Sequence, residues 1–289
     1  MKKTGILTDS HSGITQEEAK KLGIYVLPMP FYINDQCHYE GKDISREEFI
    51  ELLKNDENVS TSQPSPEAVM NLWDEILKEY EELVYIPISS GLSGSCSTAM
   101  AMAQNDDYDG KVFVVDNGRV STPMKQSVLD AIELLNEGCS AKEIKNRLED
   151  AKGKMGIFVA VDDLKYLKKG GRISSSVALV GGMLKVKPIL KFDIGTLDSF
   201  KNCRGLIKAK TVMIEEVKRI VTTDYAEDFE KGNVHILAAS SADEEETKKW
   251  VNEIQEAFPG IKVLWDYLPM GITCHIGPGG LGIGYSVRP

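Results

Sequence analysis

The chain reads as an α/β protein: an N-terminal three-layer domain with a mainly parallel sheet, followed by a C-terminal α/β domain with a mixed sheet. Through the first half, short apolar, β-branched runs alternate with amphipathic helical segments, the pattern of a parallel sheet covered on both faces. In the second half, strands follow one another directly around Asp193–Gly195, the pattern of a hairpin. The 289 residues suffice for two domains of ordinary size. We expect domains at residues 1–160 and 161–289, with a ligand between them.

Taken in order, Gly5–Leu7 begins a strand that ends at Thr8-Asp9-Ser10. Thr15 and Glu18 form a capping box for a helix to Leu22, and Tyr25–Leu27 is the next strand. Ser45 and Glu48 cap a helix to Lys54. Pro66 occupies a first-turn position, and Val69, Leu72, Trp73, Ile76 and Leu77 recur at helical spacing. Leu83–Ile88 and Lys111–Val115 are strands, followed by helices at Thr122–Asn136 and Ala141–Ala151, the second capped by Ser140 with Glu143. Gly156–Val161 opens the second half as a strand. Leu164–Lys169 is short and basic, stopped by Gly170-Gly171, and Ser174–Leu184 reads as a helix. Pro188–Phe192 and Thr196–Phe200 pair as a hairpin, and a helix runs from Leu206 to Thr222. Asn233–Ala239 is a strand, Asp243–Ala257 a helix and Ile261–Trp265 a strand. Ile272–Val287 is glycine-rich and extended.

Composition excludes several functions. The chain is 42% hydrophobic and 27% charged, enough apolar residue for a real core. A net charge of −10 argues against non-specific binding to nucleic acid or anionic membranes. No apolar run approaches the ~18–20 residues of a membrane span, and the start lacks a signal-peptide core, so no stable membrane insertion is expected. Five scattered cysteines without a Cys-x-x-Cys imply neither zinc nor a disulfide framework. The expected location is cytoplasmic, with no metal and no cofactor.

Chemistry concentrates in Ser89-Ser90-Gly91-Leu92-Ser93-Gly94-Ser95. An apolar strand ends there in hydroxyls and glycines, and a small-residue helix, Cys96–Ala103, follows. Hydroxyls and free N–H groups at a helix N-terminus favour an anion. Thr61-Ser62-Gln63-Pro64-Ser65-Pro66 also precedes a helix; Ser65 and Pro66 serve as cap and first residue, while Thr61 offers a hydroxyl to the same anion.

A serine esterase or lipase using Ser93 is the alternative. Gly91–Ser95 nearly matches the nucleophile elbow, and Asp266 and His275 follow in hydrolase order, but the final glycine is replaced by Ser95. Gly277–Gly282 satisfies Gly-x-Gly-x-x-Gly without the second strand a dinucleotide site needs. Its glycines instead let His275 and the backbone pack at a ligand mouth. Lys165–Arg172 is a basic helix end, and Arg172, past its stop, suits an anion or an acidic or phosphate-bearing partner; Arg204 is similar.

In order along nearly the whole chain, these segments resemble the DegV family of bacterial fatty-acid-binding proteins. Thr8-Asp9-Ser10, Thr61–Ser65, Ser89–Ser95, Lys169–Ser174 with Lys185–Leu190, and His275–Gly279 look like its signatures. The resemblance implies a long-chain fatty acid, such as palmitate, in a tunnel between two α/β domains. It implies that Thr61 and Ser93 bind the carboxylate, with Ser62, Ser95 and His275 beside it, and that Arg172 and Arg204 serve partner docking or phosphoryl transfer. It also implies a role as the acyl carrier of bacterial fatty acid kinase, without turnover alone. The carrier would present the carboxylate to a separate, dihydroxyacetone-kinase-like subunit for acyl phosphate formation. The family's serine- and glycine-rich run after Asp116 is here Asn117–Met124, a departure that bears on the choice of acyl chain.

Overall fold

Every residue of Glu82–Ile86 is buried, as a central parallel strand requires. Around it the computed structural model, which describes residues 3–173, 186–192, 194–195 and 197–289, folds as follows. The N-terminal half contains β1 (Thr4–Asp9), a 3-10 turn (Ser10–Ser12), α1 (Gln16–Leu22), β2 (Tyr25–Leu27), β3 (Pro30–Ile33), β4 (Gln36–Tyr39) and α2 (Arg46–Lys54). It continues with β5 (Val59–Thr61), α3 (Pro66–Leu77), β6 (Glu82–Ile86), α4 (Ser95–Met102), β7 (Val112–Val114), α5 (Ser121–Asn136) and α6 (Ala141–Asp150). The C-terminal half contains β8 (Met155–Ala160), α7 (Lys165–Gly170), β9 (Val186–Phe192), β10 (Leu197–Arg204), α8 (Leu206–Thr223) and α9 (Ala226–Glu230). It ends with β11 (Val234–Ser240), α10 (Glu244–Ala257), β12 (Leu264–Tyr267), α11 (Met270–Ile276) and β13 (Leu281–Val287).

The first sheet has the order β2-β1-β6-β7, and all its pairs are parallel. Alternation along β6 builds both flanking layers. Val84 and Ile86 pack with Val128, Ala131, Ile144 and Leu148 of α5 and α6. Leu83 and Tyr85 pack with Val69, Trp73 and Ile76 of α3 and Cys96 and Ala99 of α4. The second sheet has the order β10-β9-β8-β13-β11-β12 and is mixed: β11 and β12 run parallel, the other pairs antiparallel. One face is covered by α8 and α10 through Met213, Val217, Trp250 and Ile254. The other face carries Met155, Val159, Leu190 and Phe192, and meets Ile88, Val120 and Met124 from the N-terminal half. The α/β class with a parallel and a mixed sheet is therefore as expected.

Local departures have physical reasons. Thr15 accepts from the Glu18 amide at 3.1 Å, but the Glu18 carboxylate does not complete the box. It turns to Lys125 Nζ, 2.8 Å away, because an ammonium outbids a backbone amide. The strand expected at Ile261–Trp265 begins only at Leu264. The Gln255 side chain holds the Ile261 carbonyl and the Val263 amide away from the sheet. The stretch read as wholly extended, Ile272–Val287, starts inside α11, and only Leu281–Val287 is strand. Gly, Ile and Thr are poor helix formers, so this short helix owes its existence to packing: Met270 and Cys274 sit among Phe31, Phe49, Leu53 and Val59. A third sheet, β4-β3-β5, was not foreseen. Its hairpin turns at Asn34-Asp35, both in the left-handed region (φ 49° and 67°), a pair that suits these two residue types. The hairpin of β9 and β10 is present as read, whereas Ser174–Leu184, Lys185, Asp193 and Thr196 lie outside the described residues.

Candidate functional site

The carboxyl edge of the first sheet is where its loops converge, as in other open parallel sheets. Asp9, fully buried at the end of β1, joins two of them. Its Oδ2 accepts from the Ile88 amide at 2.8 Å and its Oδ1 from the His11 amide at 2.9 Å. The loop after β6 is thereby pinned over the end of β1. Ser90 donates to Asp116 Oδ2 at 2.7 Å, and Lys152 meets the same oxygen at 2.7 Å. Burial alone would raise the Asp116 carboxyl; Lys152 and Ser90 outweigh it and hold the group below its ordinary value.

Gly91 is required by close approach. A Cβ there would fall 2.5 Å from Gly195 Cα and 2.6 Å from the Ile194 carbonyl, so the tip between β9 and β10 rests directly on this loop. Ser93 Oγ accepts from the Ser95 amide at 3.3 Å and the Ser95 hydroxyl at 3.0 Å, which leaves the Ser93 hydroxyl hydrogen free to donate. Gly94 is the N-cap of α4 and supplies no side-chain cap, so beyond Ser95 the next N–H groups of α4, those of Cys96 and Ser97, remain available.

Thr61 reaches the same place by a different route. The β4-β3-β5 sheet packs on α11 through Phe31 and Val59 against Met270 and Cys274. That contact sets Thr61 Oγ1 2.9 Å from His275 Nε2. Burial first, then the neighbouring Arg172 and His11, push the His275 imidazole down to about 4, so it is neutral near neutral pH. Arg172 is half-buried at the mouth, with Nη1 donating to the Gly170 carbonyl at 2.5 Å.

Behind this polar mouth is a cavity of about 290 Å³ between the two main sheets. Thr61, Ser62, Ser93, Arg172 and His275 all line it. Its deeper wall is apolar, with Ile88 and Val120 on one side and Val159, Phe192, Leu268 and Ile276 on the other. Arrangements of this kind suit a ligand with one anionic end and a long apolar body.

The structure separates the remaining candidates. Ser95 is buried behind Ser93 as the first residue of α4. Ser62 is exposed at the rim. Arg204 is exposed at the end of β10, opposite Val186, and is not part of the cavity wall. The hydrolase constellation is not assembled. Asp266 binds Lys125 at 2.9 Å and the Tyr267 amide at 2.9 Å, while His275 faces Thr61 and Ser93 faces Ser95. Gly277–Gly282 leads into β13 and opens no helix, so it is not a dinucleotide loop. Gln63, from the Thr61–Ser65 loop, and Ser121 and Thr122, from the divergent Asn117–Met124 segment, also line the cavity, and so does His11, which sequence reasoning missed. The position of His11 two residues beyond a strand-end Asp was the one signal available for it. Among the described residues no helix is long and apolar enough to cross a membrane.

Residues 3–288 match the family model described as "Uncharacterised protein, DegV family". Protein DegV of Bacillus subtilis is 32% identical over 287 residues, covering 96% of this chain and 97% of its own. Among solved structures, a DegV family protein from Thermus thermophilus described by its fatty acid binding is similar at TM-score 0.85 and 28% identity, covering 99% of both chains. DegV from Bacillus subtilis, described as a fatty acid binding protein, is similar at TM-score 0.84 and 28% identity, covering both chains fully (100%).

Proposed function

The chain belongs to the DegV family, and from that premise we propose that it binds a long-chain fatty acid between two domains that meet near residue 160. The observation that carries this reading is the apolar cavity closed at one end by uncharged donors. At about 0.8 kcal/mol per buried methylene, a sixteen-carbon tail gains roughly 11 kcal/mol gross, so affinity comes from the tail. The head supplies selection. Thr61, Ser93 and the Cys96 and Ser97 amides of α4 satisfy the carboxylate, whose desolvation would otherwise be expensive.

The same donors favour a carrier that hands its cargo on. Hydroxyls and amides stabilise a carboxylate without the two-point clamp of a guanidinium, so its oxygens stay nucleophilic toward the γ-phosphate of a nucleotide held by a partner. Arg172 stands at the mouth and Arg204 on the surface, where both can meet a dihydroxyacetone-kinase-like subunit. In this reading the chain is the carrier in acyl phosphate formation, has no turnover alone, needs no cofactor and works in the cytoplasm.

Native mass spectrometry of protein purified from a bacterial host tests the reading. The expected result is an adduct with the mass of a long-chain fatty acid, lost in the Thr61→Ala/Ser93→Ala double variant. Absence of the adduct, together with no uptake of added fatty acid, would overturn it.

A further inference from the structure

Two buried polar side chains on the cavity wall make no side-chain hydrogen bond among the described residues. The first is His11, 6% exposed. Its Nδ1 lies 3.3 Å from Asp9 Oδ1, and Asp9 is itself fixed by the amides of His11 and Ile88. That approach is a charge contact and not a hydrogen bond, and no hydrogen bond reaches either ring nitrogen among the described residues. Nε2 lies over Gly271, where a Cβ would come within 2.5 Å of it. Gly271 and His275 stand four residues apart on one face of α11. His11 therefore sits over α11 about one helical turn before His275, and both line the cavity.

The second is Ser121, 4% exposed, whose hydroxyl has no partner among the described residues. It opens α5 with its backbone in the left-handed region (φ 55°), and the N-cap, Val120, provides no side-chain cap. The 3-10 turn that carries His11 packs against α5. A plain hydrocarbon tail in this cavity would leave both groups without a hydrogen bond. Buried polar groups without partners destabilise, and sites built around a hydrogen bond discriminate against ligands that cannot make it.

Asp9 beside Nδ1 favours a proton on that nitrogen, which makes Nε2 an acceptor; the Ser121 hydroxyl is free to donate. A ligand hydroxyl donates and accepts at once. We propose that His11 and Ser121 form a hydroxyl subsite, and that the preferred occupant is a long acyl chain hydroxylated within the first few carbons of its carboxylate. The position follows from placement: the carboxylate sits beside His275, and His11 lies one turn further along α11. This inference rests on the fatty-acid reading above.

Isothermal titration of delipidated protein with hexadecanoate, 3-hydroxyhexadecanoate and 12-hydroxyhexadecanoate tests it. The 3-hydroxy acid is expected to bind about tenfold or more tighter than hexadecanoate, and the 12-hydroxy acid no tighter. His11→Phe should bring the ratio toward one. Ser121→Ala, which deletes one oxygen, should reduce it too and stands in if the ring exchange unfolds the chain. Equal binding of hexadecanoate and the 3-hydroxy acid, or a preference that survives both variants, overturns the subsite alone. Failure of all three acids to bind overturns the fatty-acid reading and the subsite with it.

Discussion

Thr61 Oγ1 and His275 Nε2 are 2.9 Å apart across 214 residues of sequence. One comes from the end of a short antiparallel strand and the other from the last turn of a seven-residue helix. Neither element is stable alone; they fix each other through Phe31, Val59, Met270 and Cys274. The Thr61–His275 pair, and the carboxylate site proposed on it, therefore exists only when the β4-β3-β5 sheet is docked on α11.

That coupling gives the ligand-free protein a pH signature. Burial, Arg172 and His11 depress the folded His275 to about 4, against an unfolded value of ~6.5. Its contribution is fully present above ~6.5 and is lost as pH falls toward 4. Glu40 acts with the opposite sign. Burial raises its carboxyl to about 7 despite the bond it accepts from the Met270 amide, so its contribution is present below ~4.5 and lost as pH rises through 7. Glu40→Gln is expected to raise the urea midpoint at pH 8 and leave it unchanged at pH 4.5. In that background His275→Asn should flatten the remaining acid-side slope between pH 6.5 and 4. An acid-side slope that persists in the double variant would place its origin elsewhere.

Asp9 ties the ends of β1 and β6 together from a fully buried position. Asp9→Ala strands two amides, those of His11 and Ile88. The expected loss is about 2–4 kcal/mol in urea unfolding, because buried donors are left without acceptors. A loss below 0.5 kcal/mol, of the size typical of surface sites, would contradict the role assigned to this carboxylate.

Gly91 supports the tip between β9 and β10. Gly91→Ala inserts a carbon where Gly195 and Ile194 already stand, and overpacking of this kind costs about 1–3 kcal/mol. The tip should lift, the cavity mouth open and fatty-acid dissociation accelerate in stopped-flow release. Unchanged release would show that this contact does not seal the site.

Arg172 is assigned to the mouth and not to primary binding. Arg172→Ala should therefore keep the bound fatty acid in native mass spectrometry, while acyl phosphate formation with an added kinase subunit drops about tenfold, equivalent to about 1.4 kcal/mol. Loss of the lipid itself would move Arg172 into the carboxylate site.

Much of this architecture is written in local chemistry. The β-branched run Leu83–Ile86, the Ser45–Glu48 and Ser140–Glu143 boxes and the Val69–Trp73–Ile76 stripe each announce an element, because a strand's period or a helix's cap is a property of adjacent residues. The same is true of the Ser89–Ser95 loop, whose hydroxyls and glycines single it out from composition alone and whose Ser93 lines the cavity. By contrast, α11 and the β4-β3-β5 sheet escaped because each is too short to be stable without the other. His11 escaped with them, since nothing local distinguishes an imidazole in a turn from one on a cavity wall.

The sequence by itself therefore determined the class of fold, the order of most elements and the hydroxyl loops that favour an anion. Only the tertiary structure decided that Thr61 meets His275, that Arg204 stands outside the cavity, that Asp266 belongs to Lys125, and that an apolar space lies behind the polar mouth. The reason is the range of the forces involved. Caps and periodicity act over three or four neighbouring residues, whereas a cavity is the volume left when two distant surfaces pack, and no single segment carries its shape.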